Sequence, residues 1–119
     1  LYGYKKNDRL RVGMMYSNFF RRITEQNINV IFSGVALFNK IQNYNRKKIK
    51  NYFEIYIESD LSKNKKIKKI LKKNKDVVGI NIKPEFPKNP DIKYFNNIKK
   101  SLKTASTQIF YLIKEKIKY

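Results

Sequence analysis

The sequence predicts an α/β fold, a mostly parallel sheet with flanking helices, on two observations. Asn29–Gly34 is a short, nearly all-apolar run of β-branched and aromatic residues ending in glycine. Such a run suits a strand buried on both faces, the habit of parallel sheets covered by helices. Tyr52–Glu58 is a second strand of the same type. Helical patterns precede the first run, separate the two and close the chain. Strand, helix and strand within about thirty residues is the length of one βαβ unit, and this alternation is the signature of α/β architecture.

Composition narrows the chemistry. The 119 residues suffice for one ordinary domain. At 41% hydrophobic and 14% aromatic they can build a core. Cysteine is absent, which excludes disulfides and thiolate metal sites. Histidine is absent too, which removes the commonest general base and metal ligand. No apolar run reaches membrane-spanning length and no signal-peptide pattern opens the chain, so a cytoplasmic location is the expectation. The net charge of +19 suits a polyanionic partner. It has a plainer source as well, because Lys, Asn, Ile, Tyr and Phe all have A/T-rich codons, and an A/T-biased genome accounts for the bulk of the charge.

In chain order, Asp8 is the expected N-cap of a helix reaching about Gln26. Val12, Met15, Phe19 and Ile23 form its apolar stripe, with Met14, Met15 and Phe19 assigned to the core. Asn27 and Asn29 end it and lead into the first strand. Val35–Asn39 is a turn at that strand's carboxyl end, where open α/β sheets bind ligands. A second helix covers Phe38–Lys50, followed by the strand Tyr52–Glu58. Glu54 and Glu58 alternate with apolar residues; either they mark the less buried side of the strand, the favoured reading, or Glu58 faces a site at the strand end. Residues 60–76 form a lysine-dense segment, a charge block that reads as a solvated helix or loop. It lacks the interleaved aromatics expected of a base-stacking surface. Pro84, Pro87 and Pro90 impose an extended loop. A short last strand lies within Asp91–Asn97, and 98–118 is an amphipathic helix with Ile98, Leu102, Ala105, Ile109 and Leu112 on one face.

The four glycines, Gly3, Gly13, Gly34 and Gly79, do not make a Gly-four residues-Gly-Lys-Ser/Thr phosphate loop. No nucleophile and base can be paired, and Asp8, Asp60, Asp76 and Asp91 read as caps and loop residues. No catalytic residue is assigned.

Asp76-Val-Val-Gly-Ile-Asn-Ile-Lys-Pro-Glu-Phe-Pro-Lys-Asn-Pro-Asp91 resembles a "VVG-I-D-x-x-Y-E-x-P-x-x-P-D" stretch of the adenylylsulfate kinase family, P-loop nucleotide kinases. Upstream, Gly3-Tyr4 and Asp8-Arg9 resemble the family's Gly-Phe and Asp-Arg pair, and Gln26–Ile31 its approach to a strand. Phe38-Asn39, Tyr44-Asn45-Arg46 and Asn51–Ile57 are similar to a capsule-cluster branch that includes kinases acting on cytidine diphosphoramidate. The resemblance extends to about Asp91. It implies a single, incomplete three-layer P-loop kinase domain over residues 1–119, in which 60–76 stands for the lid, 77–97 for the proline loop and last strand, and the P-loop strand lies before residue 1. It also implies transfer of the ATP γ-phosphoryl to the 3′-hydroxyl of adenylyl sulfate or a related nucleotide.

The substrate-binding positions it implies are Tyr4, Arg9, Asn39, Val77, Ile80 and Glu85. Arg9 matches the arginine that contacts the nucleotide substrate, and Tyr4 the aromatic that stacks on its base. The chain departs from the family elsewhere. Val12 replaces an asparagine, Ala36 a serine, Asn39 an arginine, Val77 the second stacking aromatic and Pro84 the tyrosine before Glu85. ATP and magnesium belong to the complete family enzyme, with none expected for these residues alone, and a homodimer is compatible with an open sheet. The competing expectation is a non-enzymatic basic module that binds nucleic acid or a partner protein.

Overall fold

A computed structural model describes residues 3–35, 37–59, 77–79, 82–96 and 101–117. Within them the chain is α/β: helices α1 (Lys6–Thr24) and α2 (Asn39–Lys48), strands β1 (Ile55–Glu58) and β2 (Ile92–Phe95), and helix α3 (Leu102–Lys116). They belong to two compact units. The first holds α1, α2 and the described residues of 77–87; the second holds β1, β2 and α3. No helix of the described residues is long and apolar enough to cross a membrane. The lysine-dense segment 60–76, Ala36, Ile80 and Ile98 lie outside the described residues.

In the first unit, α1 begins at Lys6 after an extended Lys5 that supplies no side-chain cap, so Asp8 is not the N-cap. It lies in the first turn, where a carboxylate opposes the positive end of the helix dipole. Asn27 adopts a left-handed φ of 60° beyond the helix end, a conformation that asparagine tolerates better than most residues. The buried face of α1 is not the expected one. Leu10 and Met14 pack on the core of Phe38, Ile41 and Ile82, and Ser17 is 2% exposed. Met15 and Phe19, assigned to the core from sequence, are instead exposed. The helix is apolar on more than one side, and Gly13 selects which side faces α2. A Cβ there would lie 2.2 Å from Ile41 Cδ1, so the missing side chain is what lets the two helices approach this closely.

The larger correction concerns Asn29–Gly34. It forms no strand: the stretch is irregular, and Ile31 and Phe32 are exposed rather than buried on two faces. A strand exists only where its N–H and C=O groups find a ladder, and none of the described residues supplies one here. The expected βαβ unit joining it to Tyr52–Glu58 is therefore not formed.

In the second unit, the strand expected at Tyr52–Glu58 is present as Ile55–Glu58, and the short last strand as Ile92–Phe95. These two pair in parallel, with Ile55 opposite Ile92 and Glu58 opposite Phe95. Asp91 sets the register from both sides of its peptide. Its carboxylate accepts from the Glu54 N–H at 2.8 Å, and its own N–H donates to the Glu54 carbonyl at 2.9 Å. Glu58 reaches across to Lys93 at 3.0 Å, and its carboxylate raises the Lys93 ammonium above the ordinary lysine value; the exposed residue of β1 is Ile57 rather than either glutamate. Ile92 and Tyr94 alternate inward and pack with Ala105 of α3, joined by Phe53, Ile55, Ile109, Leu112 and Ile113. Tyr94 donates its hydroxyl hydrogen to Gln108 at 2.7 Å. Ser101 caps α3 by accepting the Thr104 N–H. Leu102, expected on the same face as the buried Ala105, is 87% exposed.

Among the described residues Phe38 is the largest fully buried side chain, at 1% exposure in a core of few residues. Phe38→Ala is expected to cost about 3–5 kcal/mol, a large share of the total stability of a small domain. Denaturant unfolding followed by circular dichroism measures it; a loss below about 1 kcal/mol would contradict this packing.

Candidate functional site

The structure brings four of the six sequence-predicted residues together as two pairs, both in the first unit. The first is Tyr4 with Arg9. Lys6 to Arg9 is the opening turn of α1, which carries Arg9 back over the residues that lead into the helix. Arg9 Nε donates to the Tyr4 carbonyl at 2.8 Å, and its guanidinium lies 5.6 Å from the centre of the Tyr4 ring. The ring is 73% exposed. A flat aromatic beside a guanidinium is a surface that can stack on a base and hold an anion together. Gly3 completes the turn. A Cβ on it would meet the Asp8 carboxylate at 2.7 Å, so the Gly3, Tyr4, Asp8 and Arg9 pattern corresponds to one folded-back turn.

The second pair is Asn39 with Glu85. α2 begins with no side-chain cap of its own and no acidic residue in its first turn. Glu85 supplies both from 46 residues away, with its carboxylate accepting the Asn39 N–H at 2.9 Å. The other carboxylate oxygen accepts from Lys6 Nζ at 2.8 Å. The Glu85 backbone is held as well: its N–H donates to the Leu37 carbonyl and its carbonyl accepts from Gln42 Nε2, both at 2.9 Å. Lys6 also lies 5.8 Å from the centre of the Phe38 ring. Glu85 thus fastens the extended proline segment to the starts of both helices. The bond from Lys6, then the bond from the Asn39 N–H, hold its carboxyl below the ordinary glutamate value.

Val77 accepts the Ile82 N–H, and Gly79 takes a left-handed φ of 92°. Its short aliphatic side chain has no ring to stack. Ile80 lies outside the described residues. Lys6 and Gln42 were not legible as site residues, since their partner lies 79 and 43 positions away and no local pattern marks them. An open cleft of 530 Å³ lies along α1, with Leu10, Met14 and Met15 beside Arg11 and Lys40, and none of the sequence-predicted positions lines it. Among the described residues no group of three acidic side chains could hold a metal ion.

Because Glu85 has a lowered value in the folded chain, the stability it adds is present above its unfolded-state value. That contribution is lost as pH falls through the folded-state value. The advantage of the wild type over Glu85→Gln in denaturant unfolding should therefore shrink steadily as pH drops below the ordinary glutamate range. It should shrink with salt too, since Lys6 is half exposed. An advantage that persists unchanged in acid would rule out this linkage.

Comparison with known proteins gives one relative of informative similarity. The chain is 33% identical over 93 residues to the cytidine diphosphoramidate kinase of Campylobacter jejuni subsp. jejuni serotype O:2, strain ATCC 700819 / NCTC 11168. The match covers 72% of this chain and 55% of the kinase, so the chain spans about half the length of that relative. No family model matches. No solved structure matches. The similarity relates the chain to a kinase.

Proposed function

We propose that the chain is the C-terminal portion of an adenylylsulfate kinase-like phosphotransferase. In this reading the complete enzyme moves the γ-phosphoryl of ATP to the 3′-hydroxyl of a nucleotide such as cytidine diphosphoramidate or adenylyl sulfate. The observation that carries it is the Tyr4–Arg9 pair: an exposed ring and a guanidinium held 5.6 Å apart by a short turn. The ring suits the acceptor's base and the guanidinium its phosphate or sulfate. Asn39 and Glu85 order the loop and helix beside the acceptor. The relative's name, a kinase for a nucleotide diphosphoramidate, supports the same substrate class.

The residues present do not fit ATP or its magnesium. A triphosphate is gripped by a ring of backbone N–H groups on a glycine-rich loop and by its lysine. Here Gly13 is spent inside a helix contact and Gly79 on a left-handed φ, and no glycine precedes the required Lys-Ser/Thr. These residues bind and orient an acceptor; the phosphoryl donor needs a site they do not contain.

Two measurements test this. The 119 residues alone should give no ATP-dependent phosphorylation of cytidine diphosphoramidate or adenylyl sulfate, and turnover by them would overturn the reading. Joined to a P-loop-bearing segment that restores turnover, Arg9→Ala should lower kcat/KM for the acceptor by about tenfold or more, because a charge-assisted hydrogen bond is worth about 1.5–3 kcal/mol. An unchanged kcat/KM would remove Arg9 from the site. Micromolar binding to random RNA that weakens steeply with salt would instead favour a basic nucleic-acid module.

A further inference from the structure

We infer that Lys6 is a positioning residue of the acceptor site: by holding the Glu85 carboxylate it keeps that carboxylate off Arg9, whose guanidinium stays beside the Tyr4 ring. The inference rests on the reading of Tyr4 and Arg9 as the acceptor's contacts. Three observations carry it. Lys6 and Arg9 stand three residues apart in the opening turn of α1, so their side chains are neighbours on the helix surface. Glu85 reaches that turn and meets Lys6: Nζ lies 2.8 Å from one carboxylate oxygen, while the Asn39 N–H donates to the other at 2.9 Å. Lys6 has a second contact that holds it there, with its ammonium 5.8 Å from the centre of the buried Phe38 ring.

Two neighbouring cations thus compete for one carboxylate. A guanidinium is the stronger partner, because its planar fork can donate two parallel hydrogen bonds to a carboxylate. Lysine satisfies the same oxygen as a point charge and leaves the arginine beside it to other contacts. Arg9 accordingly donates Nε to the Tyr4 carbonyl at 2.8 Å, and its guanidinium lies 5.6 Å from the Tyr4 ring centre. Without Lys6, one Glu85 oxygen loses its donor and its countercharge together. A half-buried carboxylate left in that state draws in Arg9, the next cation along that surface of α1. The ring then loses its guanidinium, and an anionic acceptor meets an arginine already neutralised by Glu85.

Cytidine diphosphate titrated into the 119-residue chain, carrying isotope-labelled arginine, tests it. Nuclear magnetic resonance follows the affinity together with the Arg9 Nε–H signal, identified as the one that Arg9→Ala removes. Lys6→Met should weaken cytidine diphosphate binding by about fivefold or more, and should shift the Arg9 signal even without nucleotide. Adding Glu85→Gln to Lys6→Met takes away the competing charge. The double variant should return the Arg9 signal towards its wild-type position and recover most of the lost affinity, although it weakens the clamp further. A merely structural role for Lys6 gives the opposite order, with the double variant binding most weakly. A double variant that binds no better than Lys6→Met, or an Arg9 signal that Lys6→Met leaves in place, would overturn the inference. A wild-type chain that does not bind cytidine diphosphate would remove the acceptor reading instead. The Arg9 signal needs no ligand, and in that case it still decides whether Lys6 holds Glu85 off Arg9.

Discussion

The first unit depends on one carboxylate. Glu85 neutralises Lys6, accepts the Asn39 N–H at the uncapped start of α2, and has its backbone clamped by Leu37 and Gln42. Each bond is modest, since the side chains are partly exposed and solvent screens them. Their value lies in being concentrated on one residue. The proline segment can neither join a helix nor donate at every position, so side-chain and flanking backbone contacts must fix it. Phe38 and Ile41 are buried beneath this clamp, which couples the polar anchor to the small apolar core.

What was legible in the sequence was whatever is local. Helix α2, the strands at Ile55–Glu58 and Ile92–Phe95, and the extended proline loop follow from composition and spacing over a few residues. The approach of Arg9 to Tyr4 is equally local, set by one turn of helix. The buried face of α1 was not legible. Its apolar residues occupy several sides, and the choice among them is made by Gly13 and Ile41, 28 positions apart. The strand pairing was not legible either. Asn29–Gly34 has better strand composition than Ile92–Phe95, but β1 pairs with the latter because Asp91 brackets Glu54 and α3 covers the result. Strand propensity describes a fit to a half-buried surface and cannot create the neighbour.

The same limit applies to the site. Residue identities at Tyr4 and Arg9 suggested chemistry, and the structure adds that Arg9 donates to the Tyr4 backbone carbonyl. Glu85 was singled out as a substrate-binding position, and its contacts give it a structural duty that the sequence pattern did not disclose.

The order of elements along the chain has a consequence for how the molecule is made. α1 and α2 belong to the first unit, β1 to the second, residues 77–87 to the first again, and β2 with α3 to the second. Neither unit is a continuous segment. On the ribosome, the first unit cannot close its clamp until Glu85 has emerged, by which time β1 is already out and without its partner. Folding domain by domain from the N-terminus, the usual route for larger chains, is therefore closed to this one. A single cut between β1 and Glu85 separates essential parts of both units at once, so the chain should be handled as an indivisible piece when its boundaries are redrawn.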